Sequence, residues 1–179
     1  MKIAHGKAKG HSLRKPLIPD FSTTLSCNRQ QIFELVEKNT HFDFKDKIGL
    51  DLFAGTGALG IEALSLGAKH VDFVDKHPYS IEAITHNLNH SYFLGKGSLK
   101  KEDVLSYITE NYQKYDFVFI DPDSTYTQTP SVIRALINKM NIHGIIVLRL
   151  IRPFTNSFYP FRTLSQTKLS FGFITILQN

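Results

Sequence analysis

The sequence contains a single cysteine, Cys27, among its 179 residues. One cysteine cannot form an internal disulfide, and it excludes any zinc site that needs two or more thiolates. No apolar run approaches the ~20 residues that a membrane helix needs. No apolar segment follows the basic N-terminus, so we expect neither a membrane span nor a signal peptide. These absences favour a cytoplasmic protein.

Positive charge is concentrated towards the N-terminus. The formal net charge is +5, and the first 40 residues carry +4 of it, with seven Lys and Arg against three Asp and Glu. A basic segment beside a nearly neutral body favours a polyanionic partner such as nucleic acid. A solvated, solubilising tail is the open alternative. We divide the chain into a basic N-terminal arm or hairpin over 1–27 and a domain over 28–179.

Helical and strand patterns alternate through the rest of the chain. Apolar spacing predicts helices over 28–38, 58–66, 79–89, 104–111 and 131–140. It also predicts strands over 48–53, 70–75, 117–120 and 145–150, a weaker strand before Asp103, and a hairpin of 161–169 with 172–177. Short connections between alternating elements indicate an α/β fold, with a mostly parallel sheet and helices on both faces. Ligands of such sheets bind beyond the C-terminal strand ends.

The first strand runs into a glycine-rich turn. D-L-F-A-G-T-G-A-L-G, residues 51–60, satisfies G-x-G-x-x-G, in which glycines allow close backbone approach and a helix N-terminus faces the ligand. An ordinary tight turn is the alternative. The Asp51 carboxylate is placed to meet a cationic ligand or to brace the loop amides. Asp75 follows Gly55 by 20 residues, the spacing of a carboxylate that accepts from ribose hydroxyls.

Two more acids follow the next strands. Asp103 either accepts from an adenine amino group or caps the following helix. Asp121 and Pro122 offer a carboxylate and a carbonyl, two acceptors that can orient an exocyclic amine with its lone pair facing an in-line methyl donor, the sulfonium of S-adenosylmethionine. We therefore expect two catalytic and six cofactor-binding residues: Asp121 and Pro122, and Asp51, Phe53, Gly55, Gly57, Asp75 and Asp103.

Several stretches of the chain resemble one family. D-L-F-A-G-T-G-A-L-G-I-E-A-L-S-L-G-A (51–68) and V-D-F-V-D-K (71–76) are similar to RsmD-type small-subunit ribosomal RNA guanine-N2 methyltransferases. The basic segment 2–16, the first helix (29–36) and the closing strand (168–177) resemble that family too. The resemblance implies a class I methyltransferase fold, Rossmann-like, with a seven-stranded sheet, a C-terminal antiparallel hairpin and a short basic N-terminal β extension.

The resemblance also implies a function. It predicts S-adenosylmethionine as cofactor and the methylation of a guanine amine, in small-subunit ribosomal RNA or an assembling small subunit, by a monomer without metal. Four basic residues would contact RNA phosphates in a largely sequence-independent way: Lys7, Lys9, Arg14 and Lys15.

Three motifs depart from the family pattern. S-T-T-L-S-C (22–27) replaces R-P-T-T-D-R, with Thr24 as the residue that still aligns. L-R-L-I-R (148–152) lacks the usual acid after the fifth strand. D-P-D-S (121–124) replaces Asp/Asn-Pro-Pro-aromatic, and we hypothesise that Asp123 reads the guanine edge while Tyr126 replaces the missing stacking ring. A solvated Asp123 in a weakened site is the alternative.

Other functions stay open at this point. Asp-Pro acceptors serve an adenine N6 amine equally well, in DNA or RNA. A binding protein that keeps the fold but has lost turnover is a second alternative, and a dehydrogenase is the least favoured. His86 and His90 are spaced i,i+4 on a helix, but no third ligand is evident, so we expect surface histidines and no metal site.

Overall fold

Seven strands form one mixed sheet in the computed structural model, which describes residues 1–18 and 26–179. The helices are α1 (Ser26–Thr40), α2 (Ala58–Ser65), α3 (Pro78–His90), α4 (Val104–Glu110) and α5 (Thr129–Leu136), with 3-10 turns at Leu94–Lys96 and Ile137–Lys139. The strands are β1 (Ile48–Leu52), β2 (His70–Val74), β3 (Gly97–Lys100), β4 (Tyr115–Ile120), β5 (Met140–Leu150), β6 (Arg162–Leu169) and β7 (Gly172–Gln178).

The strand order is β3-β2-β1-β4-β5-β7-β6. Strands β1 to β5 pair in parallel, whereas β7 is antiparallel to both β5 and β6. This arrangement confirms the α/β fold class and the C-terminal hairpin predicted from the sequence. It also explains why the inner strands are apolar on both faces, since a parallel sheet is covered by helices on each side.

Two hydrophobic cores lie on opposite faces of the sheet. In β4, Phe117 and Phe119 pack into the core that includes α1 and α2, whereas Val118 and Ile120 pack with α4 and α5. Successive side chains of a strand point to opposite faces, so one apolar strand supplies both cores.

Local signals set several helix boundaries. Helix α2 begins after Gly57, which has φ 72°, and Gly67, with φ 109°, follows its end. Pro78 occupies the first turn of α3, where its missing N–H costs nothing, and the His77 ring accepts from the Tyr79 amide at 3.3 Å. Asp103 caps α4 with its side chain. These ends agree with the predicted ones to within one or two residues.

The region between α5 and β5 differs from the prediction. The sequence predicts a helix over 131–140 and a strand from 145, but α5 ends at Leu136 and β5 already begins at Met140. Met140 pairs with Tyr115 across a register shift in β4. This long-range pairing draws the end of the predicted helix into the sheet.

The N-terminal segment packs on the domain. Ile3, Ala8 and Leu13 are buried, and a bridge between Lys2 and Ser12 closes residues 1–13 into a hairpin-like loop. The predicted β extension therefore consists of a single bridge, and this part of the chain is not a freely solvated tail. Residues 19–25, which complete the predicted segment 1–27, lie outside the described residues.

The buried carboxylate of Glu62 on α2 anchors this loop. Glu62 accepts hydrogen bonds from the Ala4 amide at 2.8 Å and the His5 amide at 2.5 Å, and the Arg29 Nε lies 3.7 Å away. Gly6 makes the packing close, because a Cβ there would lie 2.0 Å from the Ser65 carbonyl oxygen. One buried charge thus connects the N-terminal loop, α1 and α2.

We predict that Glu62→Gln lowers the free energy of unfolding by about 3 kcal/mol, because breaking a buried ion pair strands its partner in a low-dielectric site. Urea denaturation measures this loss, and limited trypsin digestion at Lys7 and Lys9 should become faster. Glu110→Gln, at an exposed acid ending α4, is the control. Equal stability of the two variants would contradict an anchoring role for Glu62.

Candidate active site

A cavity of about 570 Å³ opens at the C-terminal ends of the parallel strands. It lies at the point where strand order reverses, since β1 has β2 on one side and β4 on the other. Ligands of open α/β sheets bind in such a crevice. The sequence-predicted residues that line it are Asp51, Phe53, Gly55, Asp75, Asp103, Asp121, Pro122, Asp123 and Tyr126.

The glycine-rich turn is tightly constrained. Phe53, Gly55 and Gly57 all have positive φ, at 58°, 55° and 72°. Gly57 does not line the cavity but precedes α2, and a Cβ on Gly60 would lie 2.3 Å from the Phe73 ring. The glycines therefore permit the turn and the close packing of α2 on β2, which directs the start of α2 towards the cavity.

The Asp51 carboxylate is buried at the base of this turn and accepts from the Gly60 amide at 2.9 Å. Burial raises the pKa of Asp51 well above its usual range; the Gly60 hydrogen bond opposes the shift, and repulsion from Asp121 and Asp75 adds to it. Of the two roles expected for Asp51, the structure shows the bracing of a loop amide. Its raised pKa also marks a site that a cationic ligand would stabilise.

Asp75 and Asp103 line the cavity and accept hydrogen bonds from backbone amides. Asp75 accepts from the Gly55 amide and the His77 amide, each at 2.8 Å. Asp103 accepts from the amides of Leu105 and Ser106 and caps α4. A carboxylate has about four lone-pair sites, so both acids retain capacity for a ligand. Their roles towards ribose and adenine stay predictions.

Arg149 occupies the two acceptors expected to hold a substrate amine. Its Nε donates to the Asp121 carboxylate, and its Nη2 lies 3.4 Å from the Pro122 carbonyl oxygen. Arg149 and Asp121 are both mostly buried. Asp121 and Pro122 both line the cavity, and their role as acceptors for an amine stays a prediction. The sequence does not reveal that the Arg149 guanidinium contacts both of them.

The loop after Pro122 differs in detail from the hypothesis. Asp123 is exposed, and its Oδ1 accepts from the Thr125 amide at 2.8 Å and the Thr125 hydroxyl at 2.5 Å. These hydrogen bonds lower the pKa of Asp123, so the carboxylate is charged. Its structural role is to brace the turn, while its reading of a base stays a prediction.

The Tyr126 ring packs edge-on against Phe53, with ring centroids 4.6 Å apart. Its hydroxyl is buried without a hydrogen-bond partner among the described residues. Burial, followed by repulsion from Asp103, raises the pKa of Tyr126. Phe53 and Tyr126 therefore form an aromatic part of the cavity wall. These contacts do not test the predicted stacking of Tyr126 on a base.

The four predicted phosphate-binding residues lie outside the cavity. Lys7, Lys9, Arg14 and Lys15 are exposed, and Arg14 forms an ion pair with Glu82 at 3.3 Å. The segment nonetheless leads to the site, because Ile18 lines the cavity. The altered motif at 22–27, including Thr24, falls on residues 19–25 and the two residues that begin α1, so it lies outside the described side chains.

Asn87 on α3 links this basic segment to the glycine turn. Its side chain accepts from the Arg14 amide at 2.7 Å and donates to the carbonyls of Arg14 and Thr56, each at 2.9 Å. Sequence reasoning missed Asn87, because a buried Asn in a helix gives no signal of its partners. It also missed Arg149, although a cation at the end of an apolar strand was a usable signal.

Among residues 1–18 and 26–179, no group of three or more His, Cys, Asp or Glu could hold a metal ion. Within the same ranges, no helix combines the length and the apolar character that crossing a membrane would require.

Comparison with known proteins identifies the family. A family model described as Conserved hypothetical protein 95 matches residues 1–153. The chain belongs to this family. "Putative rRNA methyltransferase YlbH" of Bacillus subtilis is 39% identical over 88 residues, which are 49% of this chain and 46% of that protein. The chain thus matches about half the length of that relative.

Two further members of the comparison extend over more of the chain. "Ribosomal RNA small subunit methyltransferase D" of Buchnera aphidicola is 28% identical over 138 residues, 76% of this chain and 70% of that protein. The solved structure of "Putative methyltransferase yhhF" from Escherichia coli has a TM-score of 0.84 at 19% identity and covers 100% of this chain and 97% of that one. These matches confirm the RsmD-type family and the class I methyltransferase fold predicted from the sequence.

We predict that Asp51→Asn stabilises the protein at neutral pH. A raised folded-state pKa means that Asp51 destabilises the fold as pH rises above the ordinary carboxyl value of ~3.9. The amide has no such cost and can still accept from Gly60. The variant should be more stable than the wild type at pH 7 and little changed at pH 4. Urea denaturation at both pH values measures this, and an equal effect at both would contradict it.

Proposed function

We propose that this protein transfers a methyl group from S-adenosylmethionine to the exocyclic N2 amine of a guanine in small-subunit ribosomal RNA. The observation that carries the proposal is the position of the Asp121–Pro122 acceptor pair, in one cavity with the glycine turn and Asp75. Family membership and the names of the relatives support the same reaction and the same class of substrate.

The cavity residues fit the cofactor. The volume of about 570 Å³ lies within the range of small-molecule sites, and the left-handed turn at Gly55 and Gly57 brings backbone close to a ligand. Among the described residues, six acids and two Lys or Arg line the cavity, so the site favours a cationic ligand. In this proposal, Asp75 accepts from the ribose hydroxyls, Asp103 from the adenine amine, and Asp51 stabilises the positive charge.

S-adenosylmethionine supplies an electrophilic methyl group when it is bound. Asp121 and Pro122 accept the two N–H groups of the amine, which leaves the nitrogen lone pair directed at the methyl carbon. The transfer would form one N–C bond and break one C–S bond, with the electrons of the broken bond kept by sulfur, and the proton of the amine would be released to water. Charge that develops on the amine is stabilised by the Asp121 carboxylate.

Arg149 must move for this geometry to form. The amine needs the same two oxygens that Arg149 contacts, and a neutral donor replaces a charge-assisted hydrogen bond only if the guanidinium finds another acceptor. An RNA substrate offers phosphates for this purpose. Asp123 at the guanine edge and Tyr126 beside the base complete the proposed substrate site.

The basic residues outside the cavity provide the RNA contacts. Lys7, Lys9, Arg14 and Lys15 would neutralise phosphates along the segment that leads through Ile18 to the cavity. Because Arg14 is already paired with Glu82, we expect the lysines to contribute more of the affinity. The bond network of Asn87 keeps this segment at a fixed distance from the glycine turn.

We predict that the protein transfers tritiated methyl from S-adenosylmethionine to undermethylated small subunits. Asp121→Asn should slow this transfer on the order of 100-fold, because removing a group that stabilises transition-state charge usually has an effect of that size. Cofactor affinity, measured by calorimetry, should change little. Asp43→Asn, at an acid in a surface turn, is the control. Mass analysis of the modified base should find N2-methylguanine; N6-methyladenine would instead support the adenine alternative.

A second candidate function is a binding protein that keeps the fold and cofactor but lacks turnover. The closure of the acceptor pair by Arg149 favours it. Calorimetric binding of S-adenosylmethionine without methyl transfer to RNA or subunits would support this candidate and refute the first.

We also predict that replacing Lys7, Lys9, Arg14 and Lys15 by Gln weakens RNA binding and flattens its salt dependence, since each lost phosphate contact reduces the log–log slope by about 0.7 to 0.9. Fluorescence anisotropy against salt measures both, and cofactor affinity should stay unchanged. The matched control replaces one exposed Arg and three exposed Lys elsewhere: Lys69, Lys114, Arg134 and Lys168. Equal losses in both variants would indicate nonspecific charge effects, and loss of cofactor binding would indicate a structural role.

A further inference from the structure

Tyr92 combines two unfavourable features. It lies just beyond α3, has a backbone φ of 60°, and leaves 86% of its surface exposed. A bulky residue in the left-handed region costs stability, and glycine would adopt this helix-ending conformation without strain. An exposed ring also gains little from burial. Strain that the fold does not require points to a role in binding.

The ring lies among histidines. His11 of the N-terminal loop is edge-on to Tyr92 with centroids 6.0 Å apart, and it lies 5.7 Å from the His90 ring. His86 and His90 are stacked at 6.1 Å. His11 is therefore a third histidine next to the His86–His90 pair, which the sequence did not reveal. Among the described residues, these rings form no group that could hold a metal ion.

The two chain segments that contribute these rings are basic in sequence. Residues 1–18 and 83–101 carry eight Lys and Arg between them and contain no Asp or Glu. Lys9 and Lys96, close in sequence to His11 and Tyr92, are both exposed. Aromatic faces within a positively charged surface are the combination that binds single-stranded nucleic acid, since bases stack on the rings while the cations contact phosphates.

We propose that the Tyr92 platform, formed by His11, His90 and Tyr92, stacks unpaired bases of the RNA substrate outside the active site. This inference rests on the proposed function and adds a second point of RNA contact to it. The platform is assembled from two distant parts of the chain, because the His11 Nδ1 lies 3.2 Å from the His90 carbonyl oxygen.

The position of the platform sets the length of the RNA footprint. Helix α3 begins beside the cavity, which His77 lines, and its 13 residues end next to Tyr92. At 1.5 Å per residue the helix is ~20 Å long, which corresponds to about six nucleotides at ~3.4 Å per stacked nucleotide. The platform therefore lies roughly six stacked nucleotides from the edge of the cavity at His77, and an RNA strand that reaches both spans at least that length.

The test uses the full chain and a fluorescein-labelled, mixed-sequence single-stranded RNA of 12 nucleotides. Tyr92→Ala should raise the Kd by about 5- to 150-fold, the range of one base–aromatic stack, while Tyr92→Phe stays within about twofold of the wild type. Tyr112→Ala is the matched control, because Tyr112 is 93% exposed and lies after α4, in the other half of the structure. It should leave the Kd unchanged.

A second measurement separates binding from folding. Tyr92→Gly should raise Tm, because glycine relieves the positive φ, and should lower RNA affinity as Tyr92→Ala does. An unchanged Kd for Tyr92→Ala, or a Tyr92→Phe variant as weak as Tyr92→Ala, would overturn the platform. If the wild type methylates subunits while Tyr92→Ala binds RNA normally, the platform is wrong and the proposed function stands. If the wild type shows no methyl transfer, the proposed function fails independently of this binding test.

Discussion

The reversal of strand order at β1 is the constraint on which the site depends. Because β2 and β4 flank β1, the connections after β1 and β4 leave on opposite faces of the sheet and open a crevice between them. Asp51 then fixes one wall by holding the Gly60 amide, and Asp121 ends the strand on the other side. The chemistry proposed for the cavity follows from this separation, since one wall binds cofactor and the other presents acceptors to a base.

Electrostatics divide the same cavity into two halves. Asp51 is buried among other acids, and burial raises its pKa, so its charged form is disfavoured there. Asp121, by contrast, has a guanidinium beside it. In the proposed function, a cationic cofactor would stabilise Asp51 in the first half, whereas a base amine would compete with Arg149 in the second. RNA phosphates would then give the guanidinium another acceptor, which a free nucleoside lacks.

The sequence predicts the local part of this arrangement and misses the long-range part. Gly55, Gly57 and Asp75 could be found because a turn and a 20-residue spacing lie within one βαβ unit. The contact of Arg149 with Asp121 could not be predicted, even though the position of Arg149 at a strand end was visible, since this contact depends on the register of β4 and β5, in which Ile120 pairs with Leu148. The packing of residues 1–13 on α2 was missed for the same reason. The basic residues of this loop indicate an anionic partner, but the buried Glu62 that accepts hydrogen bonds from its backbone amides is 57 or more residues away along the chain.

Asn87 lies between the basic N-terminal segment and the glycine turn of the cavity. Its side chain joins the Arg14 backbone to the Thr56 carbonyl of the glycine turn, so the segment proposed to bind RNA and the turn proposed to bind cofactor share one buried amide. A shift of the segment by RNA would strain that amide, because a buried polar group left without its partner is costly. In the proposed function, substrate and cofactor binding would then be coupled through the three hydrogen bonds of this side chain, and such a coupling is reciprocal.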